Sequence, residues 1–171
     1  MRRPESSEYA SYYGGYVDRV PEADVLAALE RQPDELRSLC ARFAGERERF
    51  RYAPGKWSVR EVFGHLADSE RVFGYRAFCF ARAERAPLPS FDENEYAAAS
   101  GADQRPLAEI VEELALLRAA NLAFLRRLDA AGWDRVGTAS QNPISVRALA
   151  YVMAGHPRHH AAVLQERYLA P

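Results

Sequence analysis

The chain has 171 residues, 48% hydrophobic and 27% charged, which fits a single globular domain (1–171) with a sizeable core and excludes a disordered or fibrous protein. Its 23 basic and 24 acidic residues leave a formal net charge of -1, without the basic excess of a dedicated nucleic-acid binder. Two cysteines, Cys40 and Cys79, cannot build a disulfide framework, and no run approaches the ~20 apolar residues of a membrane span.

The opening stretch MRRPESSEYA carries no apolar run and so predicts no secretory signal. A soluble, cytoplasmic protein with free thiols is expected. Tyr9, Tyr12, Tyr13 and Tyr16 crowd the first 20 residues. Tyrosines this dense predict a segment that packs on the rest of the chain or on a second subunit.

The first helix is predicted from about Glu22 to Phe43, where Leu26, Leu29, Leu36, Leu39 and Phe43 recur at three-, four- and seven-residue spacings. Pro33 interrupts it, so either the helix kinks or a second helix opens there. A turn-rich link over 45–57 follows. The second helix runs from about Val59 to Ala83. Ser58 and Glu61 form a capping box at its start, with Trp57 as a hydrophobic staple.

Residues 84–106 hold three prolines and a glycine. A loop this long is usually functional or a lid, unless it hides a short helix. The third helix, from about Leu107 to Leu128, carries Ile110, Leu114, Leu117, Asn121, Phe124 and Leu128 on one stripe. Residues 130–145 contain Gly132, Gly137 and Pro143, and nowhere does alternation run long enough to predict a sheet. The fourth helix, capped by Ser145, runs from about Val146 to Leu169. Pro157 removes the bond to the Met153 carbonyl and Gly155 adds slack, which predicts a kink or short break between Met153 and Pro157. Four long amphipathic helices predict an all-α four-helix bundle, with a long loop between the second and third.

All four histidines lie in two of these helices. His65 sits in VFGHLADSE, and His156, His159 and His160 in AGHPRHHAAVLQERY. His156 and His160 are four residues apart, so their rings leave one helix face a turn apart and are spaced to hold one metal ion. The residue after the first is Pro157 rather than glutamate, so the zinc-protease helix motif is absent. His65 completes a triad if the second and fourth helices face each other. Three neutral imidazoles suit zinc, nickel, iron or copper and leave positions open for water or substrate, the pattern of a catalytic rather than a structural site. His159 lies about 100° from His160 around the helix and reads as an exposed or supporting imidazole.

The stretches RYAPGKWSVREVFGHLADSERVFGYRAF, PLPSFDENEY and ISVRALAYVMAGHPRHHAAVLQERYL resemble the DinB/YfiT-like superfamily of metal-dependent enzymes. With YYGGYVDRVPEADVLAALERQ they cover most of the chain in order. The resemblance implies a four-helix bundle in which His65, His156 and His160 hold one divalent metal ion per chain: zinc, nickel or iron. It also implies a small-molecule substrate, a low-molecular-weight thiol as co-substrate in some members, and frequent homodimers. Pro157 departs from the family pattern.

Other polar residues add candidates. Asp68, three residues after His65, is placed to orient its ring. Glu70 faces elsewhere and is expected to pair with an arginine between helices. Arg76, eleven residues after His65, returns to nearly the same direction and is a candidate for an anionic substrate group. Arg167 has a weaker claim of the same kind. The expected function is a metal-dependent enzyme that activates a water or a thiol, as hydrolase or thiol S-transferase. The alternative is a non-catalytic stress-response protein that binds metal or a small ligand.

Overall fold

The computed structural model describes residues 2–169. Four long helices form a bundle: α1 (Val25–Cys40), α2 (Val59–Ala81), α3 (Leu107–Leu125) and α4 (Val146–Val163). α1 and α2 each pack against both α3 and α4, so the helices consecutive in sequence, α1 with α2 and α3 with α4, lie across the diagonals. Their starts follow the sequence. Asp24 caps α1 by accepting from the amides of Leu26 (3.0 Å) and Ala27 (3.3 Å). Ser58 and Glu61 make the expected capping box on α2. Ser145 accepts from the Ala148 amide at 2.9 Å on α4.

Both interior prolines sit inside continuous helices, Pro33 in α1 and Pro157 in α4. The break expected between Met153 and Pro157 is therefore absent, and so is a new helix start at Pro33. A proline at position i leaves the carbonyl of residue i−4 without its helical donor. Here those carbonyls belong to Leu29 and Met153. A single side chain on α3 reaches both: Arg118 donates from Nη1 to Leu29 O (3.3 Å) and from Nη2 to Met153 O (3.0 Å). α4 ends in a wider, π-helical turn over Leu164–Tyr168.

Arg118 belongs to a buried polar layer that cuts the core in two. It clamps Glu70 through two bonds, Nε to Oε1 (2.9 Å) and Nη2 to Oε2 (2.8 Å), and donates to Gln32. Asn121 adds a bond to Glu70 Oε1 at 2.8 Å, and Gln32 donates to the Ala154 carbonyl. On one side lie Leu29, Phe73, Leu122 and Met153; on the other lie Leu36, Leu66, Leu114 and Leu164. The inward stripe of α3 is thus Leu107, Ile110, Leu114, Arg118, Leu122 and Leu125, displaced from the predicted one.

The expected long loop is partly ordered by a short helix, Glu93–Ala99, and a 3-10 turn, Ala102–Gln104. It is tied down by an element the sequence did not reveal: an antiparallel hairpin of β1 (Val136–Ala139) and β2 (Asn142–Ser145). Its turn residues Ser140 and Gln141 both have positive φ, 51° and 66°, the primed-turn conformation usually signalled by Asn-Gly. Four-residue strands joined by Ser-Gln give periodicity nothing to detect. Leu88 of the loop bonds to this hairpin, donating to Thr138 O at 2.8 Å and accepting from the Ser140 amide at 3.1 Å.

The N-terminal tyrosines pack on their own bundle. Tyr13 is buried, and the chain around Tyr16 lies directly on Gly155 of α4. A Cβ at residue 155 would stand 1.9 Å from the Tyr16 carbonyl oxygen. Glycine is required there by that approach and not, as expected, to loosen the helix. Tyr12 remains 55% exposed. Cys79 is buried and Cys40 half-buried, both as free thiols. Among the described residues, no helix is long and apolar enough to cross a membrane.

Candidate metal centre

Because α2 and α4 are neighbours, His65 meets the histidines of α4. Its Nε2 lies 3.0 Å from Nε2 of His156, which lies 3.1 Å from Nε2 of His160. The ligating atoms of all three lie within 4.8 Å of one another. His65 and His156 are buried, and His160 is partly exposed. Aromatic rings fix their orientation: Trp57 lies against His65 (4.8 Å between centroids), while Tyr16 and Phe73 meet His156 edge-on at 5.3 and 5.7 Å. Trp57 therefore serves the histidine cluster as well as the start of α2.

Burial governs the protonation of the cluster. It pulls His65 down to about 4. Burial, reinforced by His65 and His159, pulls His160 down to about 3. His156 is held well below the ordinary histidine value by burial, then by His160 and His65, with His159 and Arg118 adding to the effect. Desolvation disfavours the charged form, so the three rings are neutral at neutral pH and offer lone pairs. The donor set suits a borderline divalent ion. Tetrahedral Zn–N bonds of about 2.0–2.1 Å would set the nitrogens roughly 3.3–3.4 Å apart, within a few tenths of an ångström of the two separations above.

The other candidates separate clearly. His159 lies outside the group of converging nitrogens and packs edge-on against Tyr16, 5.5 Å between centroids. Asp68 stands 3.7 Å from Arg71 and makes no hydrogen bond to a histidine ring among the described residues. Glu70 pairs with Arg118, the interhelical arginine that the sequence called for without identifying it. Arg76 is buried, donating from Nη2 to Pro89 O (2.7 Å) and Ser140 Oγ (3.0 Å).

The histidines open into a cavity of about 290 Å³ walled by Tyr13, Tyr16, Trp57, Phe73 and Phe91, with Ser69 and Arg76 along the α2 side. A second cavity, of about 270 Å³, shares Trp57, His159 and His160 with the first and is completed by Tyr52, Lys56 and Tyr168. The cluster thus stands between two cavities.

Residues 28–164 match the sequence model of the DinB superfamily. The chain belongs to that superfamily. Among its relatives, a protein of Bacillus licheniformis is 33% identical over 145 residues, covering 80% of this chain and 79% of the relative. Another, from Geobacillus thermodenitrificans, is 26% identical over 141 residues, 80% of this chain and 78% of the relative. Both bear the name "Putative metal-dependent hydrolase". The solved structure of YfiT from Bacillus subtilis superposes with a TM-score of 0.73 at 20% identity, over 97% of this chain and 91% of that one. It is described as a probable metal-dependent hydrolase with an unusual four-helix bundle topology, a description of the bundle that suits the diagonal arrangement seen here.

Proposed function

We propose that this DinB protein is a metal-dependent hydrolase in which His65, His156 and His160 hold one divalent ion. The observation that carries this reading is the convergence of three neutral imidazoles at the floor of a cavity. The names of the relatives support it. A bound ion would supply Lewis acidity and a water of lowered pKa. The protein's own contributions are distinct. Burial keeps the three rings deprotonated, and among the described residues no carboxylate bonds to them to favour the charged form. Trp57 packs against the His65 ring, and Tyr16 and Phe73 pack against that of His156. Asp68 and His159 have no role in holding the ion in this reading.

The pair of cavities meeting at His160 favours a second reading, thiol S-transfer, because two reactants could approach the cluster from different sides. One experiment separates the two. Tag-free protein is assayed for metal by mass spectrometry, then given a panel of activated esters and electrophiles with and without low-molecular-weight thiols. About one zinc, nickel or iron per chain and chelator-sensitive, thiol-independent hydrolysis supports the first reading. Turnover that requires a thiol replaces it with the second. Metal-free protein that cannot be loaded overturns both. The homodimer implied by the family resemblance is tested by light scattering, where a mass near 19 kDa at micromolar concentration excludes it.

A further inference from the structure

Among the described residues, three arginines are buried. Two have carboxylates: Arg118 pairs with Glu70, and Arg147 with Glu8 and Asp134. The third, Arg76, is 2% exposed, and among the described residues no carboxylate comes within salt-bridge distance of it. Its partners are neutral: the Pro89 carbonyl and the Ser140 hydroxyl. The Tyr13 phenol is a further polar neighbour, but burial raises its pKa, so it remains uncharged. A buried charge without a counter-charge is costly. Arg76 borders the cavity of the histidines, so the missing counter-charge can come from a ligand there.

A second group in the same wall lacks a partner. Ser69 is buried, and among the described residues its Oγ has no hydrogen-bond partner. Ser69 follows His65 by four residues and Arg76 follows it by eleven, so all three leave α2 within about 40° of one another. From the histidines towards the C-terminus of α2, the wall therefore presents a coordinating nitrogen, an unused hydroxyl and an unpaired guanidinium.

We propose that the cavity binds a small carboxylic acid whose carboxylate is held by Arg76, with Ser69 donating a further hydrogen bond. This rests on the hydrolase reading for what happens at the other end of the molecule: the reacting group lies at the histidines. Eleven helical residues span about 16 Å, and the side chain of Arg76 leans back towards the N-terminus of α2. The acid group is thus several bonds removed from the reacting centre. The substrate class is an ester, amide or thiol conjugate that carries a remote carboxylate and an apolar middle matching Tyr13 and Phe73. Glu93, the one acidic side chain on this cavity among the described residues, is exposed, where water screens it.

The test is calorimetric binding to the protein as purified and after chelator treatment. The probes are monocarboxylates from acetate to 4-phenylbutyrate, each paired with its neutral amide. The best acid is expected to bind at least tenfold more tightly than its amide, before and after metal removal. Arg76→Leu should erase that preference, a loss of about 10- to 100-fold. Arg76→Lys should keep part of it, and Ser69→Ala should reduce it less. Arg76→Gln serves if the leucine variant does not fold. The proposal is overturned if no acid binds, if acid and amide bind equally, or if the preference survives Arg76→Leu. It is also overturned if the preference vanishes with the metal, which would place the carboxylate on the ion. Metal content and hydrolysis are measured separately, so failure of the hydrolase reading leaves the acid preference standing or falling by itself.

Discussion

Replacing Arg118 with methionine tests the polar layer most directly. The substitution keeps bulk but removes the two bonds to Glu70, the bond to Gln32 and, among the described residues, the only side-chain donors to the carbonyls of Leu29 and Met153. Glu70 would be left as a buried carboxylate, since its side chain is 2% exposed. Breaking a buried pair from one side costs about 3–5 kcal/mol. Each orphaned carbonyl costs about 1–3 kcal/mol, partly offset by protonation of Glu70 and by relaxation. A net loss of about 3–5 kcal/mol lowers Tm by roughly 6–20 °C for a chain of this size. Differential scanning calorimetry of the metal-free protein reads this. The double variant Arg118→Met/Glu70→Leu removes the stranded charge and should recover part of the loss, leaving the share due to the two carbonyls. A Tm within about 3 °C of the parent for the single variant would refute the reasoning. So would a double variant no more stable than the single one.

Alanine at His65, His156 or His160 should each remove most bound metal, while His159→Ala keeps it; metal per chain by mass spectrometry decides, and the opposite pattern for His159 and His160 defeats the ligand assignment. Gly155→Ala should cost about 1–3 kcal/mol, because the new methyl would meet the Tyr16 backbone, and protease sensitivity near residues 9–17 should rise with it. The pH dependence of the metal-free protein has a definite sign. His65 and His160 have folded-state values of about 4 and about 3, below the ordinary 6.5, so the unfolded chain binds more protons. Their stabilisation is complete above about pH 6.5 and is lost as pH falls towards 3, by at most about 1.4 kcal/mol per pH unit for each ring. Urea titrations at pH 7 and pH 5 should show this fall, and a flat profile removes the burial argument.

Much of the candidate site was readable in advance because its signals are local. The i, i+4 spacing of His156 and His160 and the Ser58–Glu61 box act within one or two turns, and the four helices announce themselves by periodicity. What escaped depends on contacts between distant segments. Arg118 reads as a surface residue until Gln32, Glu70 and Met153 arrive from three other helices. Pro157 predicts a kink or a short break, and the break fails because its missing donor is replaced by a side chain 39 positions earlier in the chain. Gly155 looks like slack because the backbone that needs the space belongs to Tyr16. The hairpin is short, and Ser140–Gln141 adopts a turn that its side chains do not advertise.

The polar layer has a kinetic consequence. Arg118 finds its acceptors on α1, α2 and α4, so no pair of helices can satisfy it. A partly assembled bundle must either leave the guanidinium in water, with the interface open, or bury it unmatched. The two apolar halves of the core are therefore barred from closing independently, although each has residues enough to collapse by itself. The last helix to dock meets a barrier of desolvation that is repaid only in the complete register. Apolar substitutions within the layer should then raise the unfolding rate, by deleting the native bonds, and leave folding as fast or faster, because the desolvation barrier goes with the charge. In the native state the same arrangement ties the helix bearing His65 to the one bearing His156 and His160, so a fluctuation that separates them must first undo the bonds of a buried ion pair.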